Sequence, residues 1–132
     1  MKELTVDSNM LVAALLKEDK FNKTAYTEFR QMVKGKVIFH ASRLVPVEVC
    51  GAINRRVGNI DAAKAQIIIN SLIRKGNIKV YDLNESRMHR ATNIALNYRL
   101  RGADAVIVQI AQELKLPIIA YDNEVNKAAE DL

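Results

Sequence analysis

The amino-acid sequence predicts an α/β fold in which a short, mainly parallel sheet is covered by helices on both faces. Three observations predict it: short β-branched runs alternate with longer segments of helical period, each run is apolar throughout, and a glycine or proline stands where most of the helical periods stop. A strand buried on both sides keeps no polar face, so continuous apolar runs separated by helices point to a parallel sheet.

Taken in order, Leu4–Val6 reads as the first strand and Asn9–Lys17 as a helix. Phe21–Val33 reads as a second helix closed by Gly35, and Val37–Phe39 as a short strand. Ser42 is expected to cap a helix that runs to about Val57 and stops at Gly58. Ile60–Lys75 continues as a helix ended by Gly76, followed by the strand Ile78–Tyr81 and a helix over Glu85–Leu100. Gly102 breaks the chain before a helix from Asp104 to Leu116, ended by Pro117. Ile118–Tyr121 is the last strand, and a short helix closes the chain.

No Pro/Gly/Ser-rich linker or repeat divides the 132 residues, so residues 1–132 read as one domain. Hydrophobic residues make up 49% but aromatic ones only 5%, with no Trp. The core is therefore aliphatic, and stacking on aromatic rings is not expected to be the main binding device. The net charge of +5 suits a polyanionic partner, although solubility alone explains a positive excess of that size. The single Cys50 excludes an internal disulfide and fits a reducing compartment. No run reaches the roughly 20 apolar residues of a membrane span, so the expected location is the cytoplasm.

Four acids carry the chemistry. Asp7 and Asp122 each follow an apolar run, where the working crevice of a parallel sheet lies; each is also a ready helix cap, and Asp82 ends a third run in the same way. Glu48 shares a helical stripe with Leu44, Val45, Gly51 and Ala52, an apolar or small setting in which a carboxylate needs compensation, either from a cation or from Arg55 or Arg56. Asp104 heads a helix whose stripe is Ile107, Val108 and Ala111, and capping again competes with function. Jointly, four crowded carboxylates repel one another unless divalent ions lie between them, and all-oxygen ligands select Mg²⁺ or Mn²⁺. Cys50, His40 and His89 form no zinc spacing, and no nucleophile elbow or phosphate-binding glycine loop is present.

Four segments resemble the motifs of PIN domains: Thr5-Val6-Asp7-Ser8-Asn9-Met10-Leu11, Arg43-Leu44-Val45-Pro46-Val47-Glu48, Leu100-Arg101-Gly102-Ala103-Asp104-Ala105 and Leu116-Pro117-Ile118-Ile119-Ala120-Tyr121-Asp122. They come in the family's order and span nearly the whole chain. The resemblance implies a sheet of order 3-2-1-4, sometimes with a fifth strand, and an endoribonuclease that uses Mg²⁺ (or Mn²⁺) to leave a 5′-phosphate and a 3′-hydroxyl. It implies that Asp7, Glu48, Asp104 and Asp122 are the catalytic and metal-binding residues, with Asp82 outside the site. The length is similar to that of VapC-like toxins of VapBC toxin–antitoxin pairs, which implies RNA as substrate, a small antitoxin protein as partner and a homodimer. Candidate dimer contacts are the apolar stripes in Tyr26–Val33 and Ile67–Ile73, which equally suit a core.

Ser8 and Asn9 in the first motif, with Arg43, Arg99 and Arg101 near the acids in sequence, are the candidate substrate-binding residues. One departure stands out: Ala120 replaces the family's Thr or Ser two residues before the last Asp, removing a hydroxyl that would orient a ligand carboxylate. Two rival readings follow. One is a non-catalytic module of the same fold that binds RNA or protein, which Ala120 favours. The other is a phosphoacceptor domain using Asp82, for which no Lys follows the last strand at a suitable distance.

Overall fold

The computed structural model describes all 132 residues. The chain forms β1 (Lys2–Val6), α1 (Ser8–Leu15), α2 (Asn22–Val33), β2 (Val37–Ser42), α3 (Val45–Val57), α4 (Asn59–Lys75), β3 (Ile78–Tyr81), α5 (Glu85–Asn97), α6 (Gly102–Leu114), β4 (Ile118–Ile119) and α7 (Asn123–Asp131). Every strand pairing is parallel and the order is β3-β2-β1-β4, with no fifth strand. The α/β expectation and the 3-2-1-4 order hold.

The larger core lies on one face of the sheet. There Leu4, Val6, Phe39, Ala41 and Ile78 pack against Met10 and Leu11 of α1, Phe29 and Met32 of α2, and the Val45/Val49/Ile53 and Ile69/Leu72 stripes of α3 and α4. Smaller apolar clusters join α5, α6 and α7 around Ile94, Ala105, Val108 and Val125, and around Ala91, Val106 and Ile110. Adjacent strand residues point to opposite faces, so Thr5 and His40 turn away from the larger core. Both are buried, and His40 is held by the Tyr81 hydroxyl and by Glu3, each at 2.7 Å. The strands are thus less uniformly apolar than expected, because this second face carries polar contacts.

Several boundaries move, each for a local reason. Ser42 is the last residue of β2 rather than the cap of α3. Its Oγ accepts from Leu44 N–H at 3.1 Å, shaping the corner, and Pro46 in the first helical turn fixes where α3 starts. Gly58 closes α3 and opens α4 as a single connecting residue; its φ of +101° is open to glycine and strained for other residues. Helix α6 begins at Gly102 with Arg101 at the N-cap position, so Asp104 stands inside the first turn. β4 is only two residues long because its last partner, Val6, is the end of β1.

Candidate functional site

The sheet order determines where the acids meet. β1 and β4 are neighbours with Thr5 opposite Ile118 and Val6 opposite Ile119, so both chains leave the sheet at the same edge. From β1 the chain goes on to α1, α2 and β2 on one side, while β4 is reached from β3 by way of α5 and α6. This is a topological switch point, where a crevice opens beyond the carboxyl ends of the strands.

Asp7 leaves β1 into that crevice. It is the N-cap of α1, its Oδ1 accepting from Met10 N–H at 2.9 Å, yet it is only 5% exposed. Burial drives its pKa from 3.8 up to about 6. The Met10 N–H opposes that rise, and the charges of Asp104, Glu48 and Asp122 each add to it. All three other candidate acids therefore bear on this one carboxylate.

Asp122 caps α7 in the same manner, its Oδ1 accepting from Glu124 N–H at 2.8 Å and Val125 N–H at 3.3 Å. Capping and clustering are not alternatives here. Each aspartate spends one oxygen on a helix terminus and keeps the other unbonded.

Asp104 is nearly buried, and its Oδ2 accepts from Arg101 Nε at 3.1 Å. It does not cap α6, which disposes of the capping explanation for this residue. Glu48 lies off the buried Val45/Val49/Ile53 stripe of α3 and lines the crevice with Gly51 and Ala52, of which Ala52 also packs against the core. Burial raises its pKa, the Asp104 charge raises it further, and Arg101 pulls it down.

A cleft of about 410 Å³ runs over Glu48 and Asp104, lined also by Ser8, Asn9, Arg55 and Arg101; Asp7 and Asp122 are not among its lining residues. The guanidinium of Arg101 feels Asp104 first and then Asp122 and Asp7, so it lies among the acids as their counter-charge. Arg99 is exposed in the α5–α6 connection and does not line the cleft. Arg43 is drawn to the far edge of the sheet, where its Nε donates to Asp82 at 2.8 Å, apart from the cleft. Arg55 joins instead. It lies seven residues after Glu48, hence on the same helical face, a spacing that was available in the sequence.

The donor set suits a hard divalent cation: oxygen ligands alone, two of them free carboxylate oxygens, in a pocket where negative charge is under-compensated. The grouping is not tight, however. No three Asp, Glu, His or Cys side chains stand close enough together to enclose an ion. Asp104 turns its Oδ2 onto Arg101 and keeps its Oδ1 without a hydrogen-bond partner. The long-range charge effects and the loose geometry agree on one description: the acids converge but hold apart, as like charges do. Ala120 packs with Ile94, Ala105, Val108, Val125 and Ala128, so an apolar contact stands where a hydroxyl was expected.

Comparison with known proteins agrees with this architecture. The sequence matches the PIN domain family over residues 4–131. No curated protein sequence matches it significantly. Among solved structures, the chain is similar to the Mycobacterium tuberculosis toxin VapC20, described as cleaving the sarcin–ricin loop. The TM-score is 0.77 at 19% identity, over 95% of this chain and 94% of that one. At that identity the likeness is one of fold.

Proposed function

The chain belongs to the PIN domain family, and from that premise we propose that it is a metal-dependent endoribonuclease, the toxin of a toxin–antitoxin pair. The observation that carries the reading is Asp7: a buried carboxylate whose ionisation is opposed by burial and by three further acids. A fold keeps such an arrangement at a cost to its own stability, and a bound cation offsets that cost. That a toxin of similar fold cleaves the sarcin–ricin loop supports RNA as the substrate class.

In this reading Asp7, Glu48, Asp104 and Asp122 hold Mg²⁺ or Mn²⁺. When bound, such an ion lowers the pKa of a water and neutralises charge on the phosphate under attack. The chain's own residues do the rest. Arg101 serves as the resting partner of Asp104 and then, released, as a phosphate contact beside Arg55. Ser8 and Asn9, at the start of α1, offer hydrogen bonds to the RNA backbone along the cleft.

Purified protein is expected to cleave single-stranded RNA with Mg²⁺ or Mn²⁺ and to stop when EDTA is added. Activity that survives exhaustive chelation removes the metal role. The rival reading, a binding module without catalysis, draws on Ala120 and on the loose grouping of the acids. RNA binding without cleavage in either metal would establish it.

Partners follow from the same reading: a small antitoxin, and a second copy of this chain. The two apolar stripes considered for dimer contact are split by the fold. Ala25, Phe29 and Met32 of α2 and Ile69 and Leu72 of α4 are buried, while Tyr26, Val33, Ile67 and Ile68 remain exposed. Light scattering at micromolar concentration tests the homodimer, and a monomer mass refutes it. No helix is long and apolar enough to cross a membrane, and action in the cytoplasm is part of the proposal.

A further inference from the structure

Beside the main cleft, on the far side of Asn9, lies a second depression of about 260 Å³ lined by Asn9, Val12, Asp19, Lys20, Phe21, Arg56, Tyr121 and Asp122. Asn9 belongs to both, and Asp122 borders the second, so the two hollows flank the acid cluster. The second is built differently from the first. Phe21 and Tyr121 stack with centroids 4.3 Å apart and planes 13° from parallel. The Lys20 ammonium lies 5.0 Å from the Phe21 centroid. Asp19 fixes the geometry: its Oδ1 accepts from Phe21 N–H at 2.9 Å and its Oδ2 from Arg56 Nη1 at 2.8 Å. The loop between α1 and α2 is thereby pinned to α3. Only one nitrogen of Arg56 is used in that bond, so its remaining donors are open.

We infer that this depression is a subsite for the nucleotide next to the scissile phosphate, with Lys20 and Arg56 binding its phosphate and the Phe21–Tyr121 pair giving its base a surface to stack on. The inference rests on the ribonuclease reading and deepens it. Lys20 is exposed over the partly buried Phe21–Tyr121 pair, and a cation beside an aromatic surface suits single-stranded nucleic acid, since every nucleotide brings one charge and one π-face. Aromatic residues are scarce in this chain, which makes two of them stacked at the border of the acid cluster informative. Asn9, common to both hollows, marks the path along which the backbone would run from one to the other.

The test is binding of a single-stranded oligoribonucleotide in EDTA, followed by anisotropy over a range of salt concentrations, so that neither metal nor turnover enters. Removing one phosphate contact lowers the slope of log K against log salt by about 0.7 for a single strand. Lys20→Gln and Arg56→Gln are each expected to show that loss, whereas Lys36→Gln, exposed before β2 at the opposite end of the strands, is not. Because Arg56→Gln also frees Asp19 and can shift the loop, Lys20→Gln is the cleaner variant. Phe21→Leu keeps the apolar packing but is expected to weaken binding about tenfold. That loss should vanish with an oligonucleotide abasic at the stacked position.

If wild type binds and Arg101→Gln weakens it, while Lys20→Gln and Phe21→Leu bind like wild type, the subsite is wrong and the nuclease reading stands. If wild type neither binds nor cleaves RNA, both fall together.

Discussion

Asp7 and Asp82 begin as the same object in the sequence, an aspartate directly after a short apolar strand, and end as opposites in the fold. Asp7 follows β1 at the centre of the sheet, is buried, and has its pKa raised to about 6. Asp82 follows β3 at the sheet edge, with its side chain 70% exposed and paired to Arg43 in solvent. The apolar run before each does not distinguish them, although Asp7 caps the helix that follows it whereas Asn84, not Asp82, caps α5. What separates them is the strand order, which puts the end of β1 beside the end of β4 and leaves the end of β3 two strands away. The chemistry of an acid here is a property of topology.

The largest effect that can break this comparison is on activity. Asp104→Asn keeps shape and one acceptor oxygen but removes the charge that balances a cation, so RNA cleavage should fall on the order of a hundredfold or more. Since Asp104 does not cap α6, little stability should be lost with it. Single-turnover cleavage rates with a matched melting curve check both halves, and equal activity in the folded variant and wild type contradicts the site.

The next effect is on stability. Asp7→Asn preserves the cap, because Asn accepts from a helix N–H about as well as Asp. It removes a charge whose burial, together with repulsion from Asp104, Glu48 and Asp122, costs about 3 kcal/mol at neutral pH, the equivalent of the shift from 3.8 to about 6. The metal-free variant should therefore melt higher than wild type by an amount of that order, and cleave RNA poorly. A lower melting point would mean that the carboxylate does structural work which the cap does not describe.

The pH dependence sharpens the same point. Asp7 has a folded pKa above its unfolded value, so its stabilising effect is complete below pH 3.8 and is lost as pH rises through about 6. Glu48 shifts in the same direction, from burial first. Glu113 runs the other way: held near 2 by bonds from Arg87 and Gln109, its contribution is already complete above pH 4.5. Metal-free protein should thus lose stability as pH rises from about 3.8 through about 6 and level off above that, and Asp7→Asn should flatten that slope. Chemical denaturation across the interval reads the result.

Much of this was legible in the sequence because its signals are short-range. The four strand runs, the glycine stops and the Asp7 cap depend on neighbours only, and they place the elements to within a few residues. The sheet order came from resemblance and not from periodicity, since no local pattern says that β4 lies beside β1. Arg43 shows the limit. It is close to Glu48 in sequence, but the corner after β2 sends it to Asp82 at the sheet edge. Lys20, Phe21 and Arg56 show the converse, for they come together through Asp19 across a separation that no motif spans. Glu48 was singled out as a carboxylate on an inward stripe, whereas its stripe borders the crevice and the buried stripe is its neighbour.

The smallest expected effect belongs to the edge acid. Asp82→Asn breaks only an exposed ion pair with Arg43, so stability should change by less than about 1 kcal/mol and cleavage should stay near the wild-type rate. That variant is the baseline for the measurement that bears most directly on the central claim: the shift in melting temperature on titrating Mn²⁺ into RNA-free protein. A ligand that binds only the folded state stabilises it in proportion to the logarithm of its concentration above the dissociation constant. Wild type and Asp82→Asn should both gain with Mn²⁺ and by similar amounts, while Asp7→Asn and Asp104→Asn should gain far less. If wild type gains nothing, or if Asp82→Asn loses the gain as fully as Asp104→Asn, the four acids at the switch point are not a cation site.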